Sequence, residues 1–268
     1  MASYLITGAS RGIGFEIARQ LAAKPATEVG TIFATSRSLN ASLEELAEQH
    51  PGRVAHVPID VTDPNSIRDA VQAVERTLDG KGLDVLINNA GVTAWCPIEA
   101  MQDLEDTFRI NVNGPHIMIQ AFLPLLRRGQ MKRVINISTS VGSIAKQNVF
   151  GVLPTPAYKI TKAALNMMTV IYAQELRHEG FTVYCISPGV SGHYPGGSSA
   201  SEADAGQWLK SNEANAHADL PVETGVRCVL DSIRTSGTEA NGRFLNIHVP
   251  GWERNPGLNQ YDGLDLPW

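Results

Sequence analysis

Thr7-Gly8-Ala9-Ser10-Arg11-Gly12-Ile13-Gly14 is the stretch on which the fold turns. It follows at once on Tyr4-Leu5-Ile6, a short apolar run of strand type, and leads into a segment of helical period from Gly14 to Ala23. The three glycines at this strand-to-helix turn each answer a steric need. Gly8 permits the tight turn, Gly12 lets the main chain approach a pyrophosphate with no Cβ between them, and Gly14 lets the helix pack closely on the strand. Ser10, Arg11 and Ile13 complete the loop. The helix N-terminus then offers unpaired N–H groups and the positive end of a dipole to phosphates, so a bound dinucleotide is expected here.

Outward from this turn, short apolar runs alternate with longer segments of helical period. Strands are expected at Tyr4 to Ile6, Thr31 to Thr35, Val54 to Pro58, Val85 to Asn88, Arg133 to Ile137, Thr182 to Ile186 and Arg243 to Ile247. Helices are expected at Gly14 to Ala23, Leu43 to His50, Pro64 to Leu78, Leu104 to Arg127, Pro156 to Glu179 and Val222 to Ser232. Asp63 can cap the third helix, with Pro64 at a first helical position that has no use for an N–H. The alternation defines an α/β chain: a Rossmann-type, doubly wound parallel sheet of seven strands with helices on both faces. One domain over 1–268 is expected, with a Gly/Pro/Ser-rich substrate loop at about 188–220 and a C-terminal tail at 248–268. A loop of that length is usually functional or mobile, a disordered surface insertion being the plainer alternative.

The 268 residues are 43% hydrophobic and 18% charged, enough to build such a core and too apolar for global disorder. A net charge of −5 offers no basic field to a phosphate backbone, so no nucleic-acid partner is expected. Cys96, Cys185 and Cys228 are an odd number without CxxC spacing, which suggests neither a disulfide framework nor a zinc site. The most apolar stretch, Ile117 to Leu126, is broken by Gln120 and Pro124 and falls short of the about 20 residues that span a bilayer. With no secretory pattern ahead of Tyr4, a cytoplasmic protein without membrane attachment is expected.

The end of the second strand separates the two nicotinamide cofactors. An acid there accepts from a ribose 2′-OH, while an arginine accommodates a 2′-phosphate. Ala34-Thr35-Ser36-Arg37-Ser38 contains no acid. Arg37 presents a permanent planar donor fork, Ser36 and Ser38 add hydroxyls and Arg11 adds a second positive charge, which reads as NADPH/NADP+ rather than NADH. Asp60 and Val61, after the third strand, stand where an adenine edge can be held, although a carboxylate at that point also serves as an ordinary helix cap.

Tyr158 and Lys162 lie four apart on one face near the start of the longest helix. A free phenol is a poor proton exchanger at neutral pH, and a neighbouring ammonium is expected to favour the phenolate and lower its pKa. Around this pair come Asn88-Asn89-Ala90-Gly91 after the fourth strand, Asn111 in the next helix, Asn136-Ile137-Ser138-Thr139-Ser140 after the fifth strand and Pro188-Gly189 after the sixth. All stand at or beside the carboxyl ends of strands, where open α/β sheets bind ligands.

Together, from residue 3 to about 250, these motifs resemble the short-chain dehydrogenase/reductase family. Asn241-Gly242-Arg243-Phe244 and the ending Tyr261 to Trp268 look like its carbonyl-reductase branch, which contains Sniffer and C-factor-like proteins. The resemblance implies a tetrad of Asn111, Thr139, Tyr158 and Lys162. In it Tyr158 protonates a carbonyl oxygen as hydride arrives, the hydroxyl polarises that oxygen, Lys162 holds the nicotinamide ribose and Asn111 anchors a water. It also implies cofactor contacts from Gly8, Ser10, Arg11, Gly12, Ile13, Arg37, Ser38, Asp60, Val61, Asn88, Ala90, Gly91, Tyr158, Lys162, Pro188, Gly189 and Val190.

Two positions depart from the family pattern. Thr139 stands where the family has a catalytic serine; it keeps the hydroxyl but adds a methyl, with Ser138 and Ser140 as rivals. His193 stands where the family has a threonine that holds the carboxamide, with Ser191 close by; it either faces substrate or is an exposed loop residue. The apolar run Val149 to Leu153, with Phe150, suggests a substrate wall beside Tyr158, to which Trp95 and Ser140 can contribute. The expected substrate is an apolar or aromatic ketone, aldehyde or quinone. An epimerase, dehydratase or cyclase without net redox change, and a catalytically silent NADP(H)-binding sensor, remain the alternatives. The apolar surface of the Pro156 to Glu179 helix exceeds what one face needs; core packing accounts for it equally, and the resemblance, in which this helix often pairs with its copy, implies a homodimer or homotetramer.

Overall fold

The computed structural model describes residues 1–151, 153–189, 220–254 and 259–268. Its strands are β1 (Ala2–Ile6), β2 (Val29–Ser36), β3 (Val54–Pro58), β4 (Val85–Asn88), β5 (Arg133–Ile137), β6 (Thr182–Ser187) and β7 (Phe244–Asn246). They form one parallel sheet in the order β3-β2-β1-β4-β5-β6-β7. The helices are α1 (Gly12–Ala22), α2 (Ala41–Gln49), α3 (Pro64–Leu78), α4 (Leu104–Phe108), α5 (Gly114–Arg128), α6 (Gln147–Phe150), α7 (Pro156–Glu175) and α8 (Val222–Thr235).

Alternation along each strand feeds two cores. Tyr4 and Ile6 join Ile17 and Leu21 of α1 and Val226 and Val229 of α8 on one face. Leu5 joins Ile67 and Val74 of α3 and Phe122 and Leu126 of α5 on the other. A strand buried on both faces must be apolar throughout, which is why Val85-Leu86-Ile87 carries no polar side chain. At the start of α3 the Asp63 side chain accepts from Asn65 N–H at 2.9 Å with Pro64 at the first helical position, as the sequence requires.

The helix expected over Leu104 to Arg127 is a correction: it is three pieces, with a π-helical turn over Arg109–Asn113 between α4 and α5. Pro115 supplies the reason. It has no N–H for the carbonyl of Asn111 four residues earlier, and its ring crowds that carbonyl. The helix expected to reach Glu179 stops at Glu175, and a 3₁₀ turn over Arg177–Glu179 closes on Gly180 at φ +80°. The remaining boundaries move by three residues or fewer.

The strand order reverses between β1 and β4, so the loop after β1 and the turn after β4 flank one crevice. Of the long loop at 188–220 only Pro188, Gly189 and Leu220 are described; Val190, Ser191 and His193 lie outside the described residues. Among the described residues no helix is long and apolar enough to cross a membrane.

Candidate active site

At the first turn Gly8 and Gly12 take φ of +67° and +57°, the left-handed region that glycine enters without strain. A Cβ on Gly14 would stand 2.4 Å from both Asn89 Nδ2 and Gly8 O, so close packing under the loop demands glycine there. The turn is riveted to the end of β4. Thr7 Oγ1 accepts from the N–H groups of Asn89 at 2.9 Å and Ala90 at 3.0 Å, and Asn89 Nδ2 donates to Thr7 O at 2.8 Å and Gly8 O at 3.2 Å. Spacing alone does not single out Thr7 or Asn89; the available signal is a paired asparagine directly after a strand. No side chain caps α1, its first turn carries no acid, and Arg11 at its mouth is exposed, so its leading N–H groups are left for an anion. This cradle fits a dinucleotide pyrophosphate.

At the other end of the crevice Arg37 and Ser38 are exposed beyond β2. Ser36 does not offer a donor there, which corrects the sequence reading: it is buried, its hydroxyl donates to Ser38 O at 2.8 Å and meets His56 Nε2 at 2.9 Å. Since the hydroxyl proton is committed to Ser38, His56 Nε2 must be the donor in that contact. Ser36 and His56 thus shape the turn that carries Arg37. Asn40 ties the same turn to the glycine loop, donating through Nδ2 to Ser10 O at 2.8 Å while Oδ1 caps α2 at Leu43 N. The Asp60 carboxylate accepts the hydroxyl and N–H of Thr62 at 2.7 and 2.9 Å. Those bonds, with Arg37 and Arg109 nearby, hold its carboxyl below the usual range. Val61 packs against the start of α5, 3.1 Å from where a Cβ on Gly114 would stand.

The third group of residues gathers at the carboxyl ends of β4 and β5. Lys162 is buried, and its Nζ donates to Ile137 O, the last carbonyl of β5, at 2.7 Å and lies 5.5 Å from the centre of the Tyr158 ring. Burial pushes the Tyr158 phenol up to about 12 and draws Lys162 down to about 8, the latter against a smaller opposing influence of Cys185. The expected lowering of the phenol is therefore reversed in this structure. The ammonium is committed to a carbonyl, and desolvation of the phenol dominates.

The three neighbouring hydroxyls have different surroundings. Ser138 is 2% exposed and donates to Asn166 Oδ1 at 2.6 Å, facing the core. Ser140 is also buried, its N–H donating to Ser187 Oγ at 3.1 Å. Thr139 is partly exposed and caps the 3₁₀ turn Ser140–Gly142, accepting from Val141 N at 3.3 Å and keeping its own proton for another acceptor. Asn111 Oδ1 accepts from Val92 N at 2.8 Å, and Nδ2 donates to Val92 O at 2.9 Å and Thr161 Oγ1 at 3.1 Å. Its side chain is a clamp between the turn after β4 and α7. A Cβ on Gly91 would lie 3.1 Å from Asn111 Oδ1 and 3.7 Å from Lys162 Nζ, so the three converge. The Asn88 side chain is buried and donates to Asn136 Oδ1 at 2.8 Å. Gly189 takes φ +80° against Ile247, Leu220 and Tyr261.

On the side away from the glycine loop, Cys96 N donates to Pro154 O at 2.9 Å and draws Trp95 and Cys96 toward the segment leading into α7. Phe150 is 2% exposed and anchors this wall from inside, its carbonyl accepting Lys159 Nζ at 2.7 Å. Between Thr139 and Tyr158 the exposed large apolar side chains among the described residues are Ile144 at 73% and Val149 at 41%.

A parallel sheet whose switch point holds a riveted glycine turn, beside a tyrosine and a buried lysine four residues apart, defines a nucleotide-dependent enzyme of the Rossmann class. Residues 3–193 match the family model described as short chain dehydrogenase, and the chain belongs to that family of oxidoreductases. It is 32% identical to the short chain dehydrogenase virK of Hypocrea virens over 92% of this chain and 98% of that protein. It is 32% identical to C-signal of Myxococcus xanthus over 69% and 93%. Two carbonyl reductases superpose over its whole length. Sniffer of D. melanogaster gives a TM-score of 0.80 at 28% identity and 100% coverage of both chains; the NADPH-bound enzyme of chicken fatty liver gives 0.79 at 28%, with 100% and 99% coverage. These likenesses place the chain in the Sniffer/C-factor-like branch.

Proposed function

We propose that the protein is an NADPH-dependent carbonyl reductase acting on apolar or aromatic ketones, aldehydes or quinones. The observation that supports this most is the junction at the end of β5. There Gly142 packs so tightly on α7 that a Cβ would lie 2.8 Å from Lys162 Cβ, while Lys162 Nζ holds Ile137 O and lies 5.5 Å from the centre of the Tyr158 ring, with Thr139 two residues beyond the strand end. The similarity to the NADPH-bound carbonyl reductase of chicken fatty liver and the exposed Arg37 and Arg11 support the phosphorylated cofactor.

When bound, the nicotinamide supplies a hydride to the carbonyl carbon. The negative charge then developing on oxygen has to be met by the chain's own donors. Tyr158, protonated at neutral pH, gives its Oη proton to that oxygen, and Thr139 Oγ1, whose proton is uncommitted, donates a hydrogen bond to it. Lys162, when charged, stabilises the phenolate left behind, and Asn111 positions α7 and the Gly91–Val92 turn. Ser10, Arg11, Gly12 and Ile13 hold the pyrophosphate, Arg37 and Ser38 the 2′-phosphate, Asp60 and Val61 the adenine, and Ala90, Gly91, Pro188 and Gly189 the nicotinamide side. Exposed Ile160, Met167 and Ile171 along α7 support a homodimer or homotetramer, which a single monomeric mass in solution would refute.

The test is NADPH oxidation, read at 340 nm, with a panel of aromatic ketones, diketones and quinones. Wild type should turn over and Tyr158→Phe should lose about 10²- to 10⁴-fold in rate with NADPH binding retained. A Tyr158→Phe enzyme of near wild-type rate overturns the assignment, and product formed without consumption of NADPH favours the non-redox alternative.

A further inference from the structure

We infer that the segment Tyr261–Trp268 positions the substrate side of the active site. It does so by holding the Ser143–Gln147 loop through the main-chain carbonyls of Pro267 and Trp268. This rests on the reductase reading and deepens it.

The segment is fixed first along the sheet edge. It runs antiparallel to β7, with Asn246 N donating to Leu264 O at 3.0 Å, Gly263 N to Ile247 O at 3.1 Å and Leu266 N to Phe244 O at 2.7 Å. Arg243 pairs with Asp265 at 2.7 Å, and Gly263, at φ +73°, lies so near His248 that a Cβ would be 2.9 Å from His248 Cβ. The Trp268 ring stacks on Phe244 with centres 5.5 Å apart.

Held in this way, its last two residues reach the loop between Thr139 and Tyr158. Ser143 is 0% exposed, and its hydroxyl donates to Pro267 O at 2.6 Å; Ala145 N donates to Trp268 O at 3.0 Å. Between these two anchors stands Ile144, the most exposed large apolar side chain described between Thr139 and Tyr158. The loop's own bonds pass the constraint onward: Gln147 Nε2 donates to Val141 O at 2.7 Å and to Ser143 O at 2.8 Å, and next to them Gly142 rests on Lys162. A buried serine hydroxyl needs an acceptor, and here the acceptor lies 124 residues away on a different element. Without it one of the two anchors that flank Ile144 is lost, and the bond from Ala145 N to Trp268 O remains. Ser143 and the Pro267–Trp268 pair are therefore positioning residues for substrate rather than groups that touch reacting atoms.

The experiment compares the chain of residues 1–268 with Ser143→Ala and with a chain ending at Leu266. Each is assayed for NADPH affinity, for KM and kcat with a bulky aromatic ketone and a small aliphatic aldehyde, and for hydrogen exchange of the amides of 143–147. Both variants should raise KM for the bulky ketone at least tenfold. The small aldehyde and NADPH affinity should move less than threefold, and the loop amides should exchange faster. Trp268→Ala, which keeps the carbonyls, should have the smaller effect. Faster exchange with an unchanged ratio of the two KM values refutes the hold on substrate, and unchanged exchange refutes the hold on the loop. If the shortened chain does not fold, Ser143→Ala decides alone. If wild type consumes no NADPH with any carbonyl, the reductase reading fails, while the exchange arm still decides whether the segment holds the loop.

Discussion

Replacing Lys162 by methionine should make the protein more stable at neutral pH, and the gain should vanish in alkali. Lys162 is buried with one hydrogen bond, to Ile137 O, and burial draws it from the ordinary lysine value of 10.5 to about 8. Because the folded value lies below the unfolded one, the fold is penalised wherever the unfolded lysine is charged. The penalty is complete below about pH 8, shrinks as pH rises and is gone above the unfolded value. Each pH unit of separation is worth about 1.4 kcal/mol, so the full span is on the order of 3 kcal/mol. Chemical denaturation of wild type and Lys162→Met from pH 6.5 to 10.5, extrapolated to zero denaturant, reads the difference directly. Tyr158 and Tyr184, also raised by burial, titrate in both proteins and largely cancel. The stability of wild type minus variant should climb by about 2 to 3 kcal/mol between pH 8 and 10.5. A difference constant to within about 0.5 kcal/mol, well under the expected climb, means that Lys162 is not charge-strained in the fold and that the argument from its burial is wrong.

Arg37→Ala should erase most of the preference for NADPH over NADH, about 10- to 100-fold for a charge-assisted contact, in parallel titrations of the two cofactors; an unchanged ratio removes Arg37 from the 2′-phosphate. Gly14→Ala should cost about 1 to 3 kcal/mol and weaken NADPH binding, since its Cβ would sit 2.4 Å from Gly8 O; a variant with wild-type melting and affinity shows that the loop yields freely. Among the hydroxyls, Thr139→Val should depress kcat at least tenfold, Thr139→Ser should restore it, and Ser138→Ala should act mainly on stability. A Ser140→Ala enzyme that loses turnover while Thr139→Val keeps it would transfer the role.

Most of the sheet was legible because a strand buried on both faces leaves a continuous apolar run, as at Val85-Leu86-Ile87, and short runs with β-branched residues between helical segments mark Val54–Pro58 and Arg133–Ile137. The glycine loop was legible for a related reason: positive φ and absent Cβ space admit one residue type. Hydrogen-bond partners distant in sequence were not. Nothing local says that Thr7 will receive two N–H groups from residues 82 and 83 positions away, or that Ser36 will face His56 rather than solvent. The sign of the Tyr158 shift was misread for the same cause. Spacing gives the distance between two side chains along a helix, but whether burial or charge dominates depends on where Nζ finds its acceptor, and that is a carbonyl of β5.

The wide turn over Arg109–Asn113 has a further meaning. Each residue advances an α-helix by about 100°, so one additional residue within a turn sets the two flanking helices out of phase. Here α4 and α5 answer to different neighbours: α5 seats Met118, Phe122 and Leu125 against the sheet, whereas the residues before it must aim Asn111 at Val92 and Thr161. A continuous helix could satisfy one of these orientations. The turn acts as a phase shifter, letting core packing and the aim of Asn111 be set separately, and removal of a single residue there would swing Asn111 out of the site while leaving α5 in place.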